Sequence, residues 1–122
     1  MAEDLRIYLA GPLFTHAERL WNRALFQQLS LLIPTARIIL PQVEATKYIR
    51  ESGLDFEGIV GSCIEQLDKA NLILAILDGS DSDSGTSWEC GYAYAKGKRV
   101  IGVRTDLRGS EDEGLNAMLR RT

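Results

Sequence analysis

The aliphatic run Leu72-Ile-Leu-Ala-Ile-Leu77 constrains the fold of this chain more than any other feature. It lacks the apolar-polar alternation of a strand with one wet face, so it reads as a central strand of a parallel sheet covered on both sides. It is also far short of the ~20 apolar residues that a membrane-spanning helix needs. Asn71 precedes it, and an acidic, serine-rich loop beginning Asp78-Gly-Ser-Asp81 follows.

The rest of the pattern alternates strands with helices. Leu5 to Ala10 reads as a short buried strand ending at Gly11-Pro12. Thr15 stands three residues before Glu18, a capping-box spacing that starts a helix. Apolar residues at Ala17, Leu20, Trp21, Ala24 and Leu25 and on through 28–32 keep helical spacing up to Pro34. Arg37 to Leu40 is a second strand stopped by Pro41, and residues 42–54 read as a loop with a helical turn. Phe56 to Lys69 predicts a helix with Ile59, Val60, Cys63, Ile64 and Leu67 on one face. A further helix is predicted from about Ser87 to a C′ glycine at Gly97, then a strand from Arg99 to Val103 and a helix from Asn116 to Arg121.

This order predicts one α/β domain over residues 1–122, a flavodoxin-like or Rossmann-like three-layer sandwich around a parallel sheet with right-handed crossovers. A doubly wound sheet usually adds a fifth strand and helix after such a fourth strand. Either the natural chain extends past Thr122, or another subunit completes the edge.

Composition removes several classes of function. With a net charge of −3 and interspersed charges, nucleic acid polymers are not expected partners. Met-Ala-Glu-Asp-Leu-Arg lacks the build of a signal peptide, and no membrane association is expected. Cys63 and Cys90 form no CxxC pair and read as reduced, core-facing thiols of a cytoplasmic protein. The single histidine, His16, falls in the first turn of a helix and is expected to face solvent, so neither a zinc site nor a Ser-His-Asp triad can be assembled. Counting from Asp81, glycine and glutamate miss their calcium-loop positions. Gly11-Pro-Leu-Phe14 is not GxGxxG, and no P-loop lysine follows it. No metal and no cofactor are expected.

In an open α/β sheet, ligands bind beyond the carboxyl ends of the strands. Two segments open there: Gly11 to Phe14 after the first strand and Asp78 to Tyr92 after the central one. The second carries Glu89, for which the residues leave two roles. Thr86-Ser-Trp-Glu89 is a capping-box pattern, which would make Glu89 a helix cap. A carboxylate near the positive end of a helix, among apolar groups, would instead be a competent nucleophile. Asp83 and Ser84 lead into the Gly85 turn, whereas Asp81 reads as solvated. Tyr8 is either an ordinary strand aromatic or a hydroxyl donor to a pocket carboxylate. Asn116 is either the cap of the last helix or an amide reaching a neighbouring subunit's pocket.

Together, Ile7-Tyr-Leu-Ala-Gly-Pro-Leu-Phe14, Asp68 to Gly79, Asp83-Ser-Gly-Thr-Ser-Trp-Glu-Cys-Gly-Tyr-Ala93, Gly97 to Asp106 and Asn116-Ala-Met118 resemble the nucleoside 2-deoxyribosyltransferase family. The resemblance covers most of the chain, and the DSGTxxExGYA block is its specific element. It implies catalytic roles for Glu89, as nucleophile toward C1′ of a 2′-deoxynucleoside, and for Tyr8, which orients it. It further implies substrate contacts from Gly11, Phe14, Asp83, Ser84, Gly85, Asn116 and Met118. The sugar would pass through a covalent ester to a second nucleobase or to water. A homodimer or larger homo-oligomer is implied, with Asn116 donated across the interface.

One position departs from the family: Cys63 stands where many relatives carry an aspartate near the base, and Gln42 is the candidate for reading the base edge. The family also contains N-glycohydrolases of 2′-deoxynucleoside 5′-monophosphates. Pro12, Leu13, Phe14 and Asp83 replace their phosphate donors, although Arg104 and Arg108 could supply phosphate contacts. A third reading is a non-catalytic nucleoside- or nucleotide-binding module with Glu89 as a cap.

Overall fold

The computed structural model describes residues 4–109 and 111–121. In chain order the elements are β1 (Arg6–Ala10), α1 (His16–Leu32), β2 (Arg37–Ile39), α2 (Pro41–Glu44), a 3-10 turn (Ala45–Tyr48), β3 (Ile49–Arg50) and β4 (Gly53–Leu54). They continue with α3 (Phe56–Lys69), β5 (Leu72–Ile76), α4 (Ser84–Ala95), β6 (Arg99–Val103), a second 3-10 turn (Glu111–Gly114) and α5 (Ala117–Arg120). A four-stranded sheet runs in the order β2-β1-β5-β6, with all neighbours parallel.

The sheet separates two apolar clusters, because successive strand residues point to opposite faces. Ile7, Leu9 and Leu74 pack with Leu25, Phe26 and Leu29 of α1 on one side. Tyr8, Ala10, Ile73, Ala75 and Leu77 pack with Leu67 of α3 and Cys90 and Ala93 of α4 on the other. This is the three-layer α/β arrangement, with β5 buried on both faces as its unbroken hydrophobicity requires. β1 and β5 are adjacent, although β2 follows β1 in sequence, so the chain reverses direction across the sheet between them. That reversal is where doubly wound sheets open a crevice for ligands.

The capping box at the start of α1 forms as predicted. Thr15 accepts from the Glu18 amide, and Glu18 accepts from the Thr15 amide. α3 takes its predicted bounds, capped by Asp55. Gly97 adopts a φ of +72° after Lys96, the left-handed conformation that ends a helix at glycine.

Two expectations are corrected. Residues 42–54 are not a plain loop but α2, a 3-10 turn and the antiparallel hairpin β3-β4. The 3-10 turn packs close to α3: a Cβ on Gly58 would overlap the Tyr48 ring, so only glycine admits the approach. Second, α4 begins at Ser84 rather than near Ser87, because Asp83 and not Thr86 is its N-cap. No described helix is long and apolar enough to cross a membrane.

Candidate active site

Tyr8 comes from the middle of β1 and Glu89 from the second turn of α4. The Tyr8 hydroxyl donates a hydrogen bond to Glu89 Oε2, joining two elements 81 residues apart in sequence. The observed cap decides between the two roles left open for Glu89. Asp83 Oδ2 accepts from both the Thr86 amide and the Thr86 hydroxyl, at 2.9 Å each, so the orphan amides of α4 are served without Glu89. Glu89 is therefore not a cap; its carboxylate is held by a phenol. Replacing Asp83 with alanine is expected to destabilise the protein by about 1 kcal/mol, the usual effect of a lost N-cap, measured by urea denaturation.

Burial dominates the electrostatics of this pair. It pushes the Glu89 carboxyl up to about 7, with the nearby Asp83 charge adding to the rise and the Tyr8 hydrogen bond opposing it. The Tyr8 hydroxyl is driven far above its ordinary range, first by burial and then by the Glu89 charge, so it remains a donor. Cys63 interacts with the same hydroxyl, and burial raises its thiol as well. Since the Tyr8 bond favours the ionised carboxylate, Tyr8→Phe should raise the Glu89 pKa further. The acid limb of any Glu89-dependent activity then moves to higher pH, with a loss of about tenfold on the plateau, read from a pH–rate profile.

The loops after β5 and β6 hold each other in place. Asp78 accepts from the Thr105 and Asp106 amides and from the Thr105 hydroxyl, while Asp106 accepts from the Gly79 amide. Arg104 donates to the carbonyls of Leu77, Gly79 and Arg108. Gly79 sits at a φ of +112°, where a side chain would be strained. This lattice fixes the loop that ends at Asp83 and thereby sets the start of α4.

A cavity of about 520 Å³ opens at the carboxyl edge of the sheet on the α3 side. Tyr8, Gly11, Phe14, Gln42 and Asp83 all line it, so the structure brings five of the sequence-predicted site residues to one place. Glu89 joins that edge through its bond to Tyr8. Ser84 and Gly85 form the exposed first turn of α4, outside the cavity lining. Asn116 and Met118 also lie outside it: Asn116 caps α5 by accepting from the Met118 amide, and Met118 is exposed.

Gln42 lines the cavity with its amide already engaged. Its Oε1 accepts from Asn22, and its Nε2 donates to the Arg19 carbonyl, both at 3.1 Å. Its first role is to tie α2 to α1 rather than to offer a free edge. Arg104 and Arg108 are likewise committed, the latter to Asp106. Cys63 is half-buried and lines the cavity, whereas Cys90 is in the core; the expectation of two core-facing thiols holds only for Cys90. His16 is exposed, and no group of three His, Cys, Asp or Glu side chains among the described residues could hold a metal ion.

Sequence reading missed the outer wall of the cavity, formed by Tyr48, Ile49, Leu54 and Phe56 together with Arg19 of α1. The signal was present. Val43, Tyr48, Ile49 and Leu54 are too many large apolar residues for a solvated loop.

Fold and site thus define a flavodoxin-like α/β domain with a part-buried carboxylate-phenol pair at the carboxyl edge of its sheet. The chain belongs to the nucleoside 2-deoxyribosyltransferase family, whose sequence model matches residues 7–118. A conserved protein of Enterococcus faecalis V583 of known structure is similar, at 29% identity and a TM-score of 0.86 over 98% of this chain and 86% of that one. The 2-desoxiribosyltransferase of Leishmania mexicana is 25% identical with a TM-score of 0.71, covering 94% of this chain and 85% of its own. The fold is also that of the 2-deoxyribosyltransferase of Bacillus psychrosaccharolyticus, at 23% identity and a TM-score of 0.78 over 93% and 79% of the two chains. An uncharacterized protein of Ureaplasma parvum serovar 3, UU063, is 35% identical over 109 residues. That alignment covers 82% of this chain and 66% of the relative, so the chain spans just under two thirds of its length.

Proposed function

We propose that this protein moves the 2-deoxyribosyl group of 2′-deoxynucleosides by a retaining double displacement through an ester on Glu89. A Glu89 oxygen bonds to C1′ as the glycosidic bond breaks, and that bond's electrons leave with the base. A second nucleobase, or water, then attacks C1′ from the face the first base left, and Glu89 returns as a carboxylate. Two inversions give net retention, as in retaining glycosidases. The absence of a 2′-hydroxyl favours the oxocarbenium-like transition state, because an electron-withdrawing neighbour would destabilise it.

The observation that carries this reading is the Tyr8–Glu89 hydrogen bond at the cavity edge. A phenol that stays protonated steadies the carboxylate without competing for the sugar. Asp83, which shares the cavity wall, is the candidate contact for the sugar's 5′ end. Asn116 and Met118 act in the site of a second copy, in a homodimer or larger assembly. The 5′-monophosphate reading loses support because Arg104 and Arg108 already hold backbone carbonyls and Asp106. The binding-module reading loses support because Glu89 does not cap its helix.

Incubation with thymidine or deoxyadenosine plus a second free base, followed by chromatography, tests the proposal. Base exchange is the expected result. Base release without exchange would make the protein a hydrolase with the same first step, and the absence of both products would contradict the proposal.

A further inference from the structure

Several of the polar side chains that line the cavity are already engaged or neutral. Gln42 is used at both ends of its amide. Thr46 donates to the Val43 carbonyl, Glu44 pairs with Lys47 at 2.7 Å, and Asp83 caps α4. Cys63 presents a thiol that burial keeps protonated and neutral. The wall also carries Ser62, Gln66 and Tyr48, whose side chains can both donate and accept, among the apolar Leu13, Phe14, Ile49, Leu54 and Phe56.

Arg19 is the one cation among the described residues of the wall. Its Nη1 is pinned by the carbonyls of Leu13 and Phe14, at 3.3 and 2.8 Å. Its own carbonyl is held by Gln42. The guanidinium is therefore anchored at one corner, while its Nε and Nη2 donors have no partner among the described residues. A guanidinium presents its donors in a fixed fork and accepts nothing. As the one group among the described residues of the wall that only donates and carries a positive charge, it selects for a hydrogen-bond acceptor and for negative charge.

We propose that Arg19 is the base-specificity residue of this site, donating to a nucleobase carbonyl and favouring the 2′-deoxynucleosides of oxo-bases over those of amino-bases. The inference rests on the deoxyribosyl-transfer reading. In the first step the C1′–N electrons pass to the base nitrogen, and the charge spreads onto the oxo group beside Arg19. The base leaves as an anion and takes its proton from water afterwards. An oxo-base carries that charge on an acceptor that Arg19 can bond. An amino-base turns a second donor toward the guanidinium, leaving both unpaired, and sites built on hydrogen bonds discriminate strongly on that basis.

Deoxyinosine and deoxyadenosine differ at this one group and make the test, with thymidine and deoxycytidine as a second pair. The wild-type protein is expected to give a kcat/KM at least about tenfold higher for the oxo member of each pair. Arg19→Met should lower the oxo-nucleoside value at least about tenfold more than the amino-nucleoside value, collapsing the ratio, while Arg19→Lys should restore part of it. Because Nη1 also pins a loop, the melting temperature of each variant is recorded, and the ratio within one variant is the readout that loop damage does not move. Equal wild-type rates for both members, or equal losses in Arg19→Met, would overturn the role of Arg19 while leaving the transfer reading intact. Failure to cleave any of the four would overturn both.

Discussion

Glu89→Gln should lower base exchange by roughly 10⁴-fold or more and, at pH 8, make the protein more stable than the wild type. Glutamine keeps the size of the side chain and an oxygen for the Tyr8 hydroxyl, so packing and the hydrogen bond survive. The nucleophile is lost, and with it the buried charge. Burial holds the folded-state pKa of Glu89 at about 7 against an ordinary value of 4.5. The folded protein thus binds this proton more tightly than the unfolded chain does. The contribution to stability is complete below pH 4.5, declines as pH rises, and is gone above about 7. At pH 8 the ionised side chain therefore costs up to about 3 kcal/mol, which Glu89→Gln relieves. Thermal melts of the two proteins at pH 5 and pH 8 check this: the variant's advantage should appear at pH 8 and shrink toward pH 5. If Glu89 were simply a structural carboxylate, the variant would lose stability at both.

The second large effect is on the rate. Only the ionised carboxylate attacks C1′, so kcat/KM should be flat above about pH 7.5 and fall about tenfold per pH unit below 7. From the plateau down to pH 5 the loss approaches a hundredfold, far more than an unshifted glutamate would give, since that would stay mostly ionised throughout the range. The same burial accounts for both observations, so the stability difference should level off near the pH at which the rate profile has its midpoint. A profile flat down to pH 5 would mean that Glu89 is not the group whose ionisation limits the rate.

The fold was legible because its signals are local. The aliphatic run of β5, the Thr15–Glu18 box and the Gly97 stop each state their structure within a few residues. The hairpin Ile49–Leu54 was not, since strands of two residues have no periodicity to read, and the 3-10 turn before them is seated on α3 at Gly58. The cap of α4 was misassigned for a different reason. Asp83 and Thr86 are both good caps, three residues apart, and only the loop pinned by Asp78, Asp106 and Arg104 selects the first. In the site, the Tyr8–Glu89 pair could be suspected from sequence, but nothing there shows that a phenol in β1 reaches a carboxylate in α4. Arg19 could not be found at all from its place on an amphipathic helix. Its meaning comes from the cavity it lines, where it is the one cation among the described residues.

The central claim is the covalent ester on Glu89, and the most direct test is to look for it. The protein is mixed with thymidine in the absence of any acceptor base, quenched in acid within seconds, and its intact mass and peptides are measured. The account predicts a wild-type species heavier by one deoxyribosyl group, located on the peptide containing Glu89, absent from Glu89→Gln, and discharged when a second base is added before the quench. Continued release of thymine with no such species, or an adduct that persists in Glu89→Gln, would contradict it.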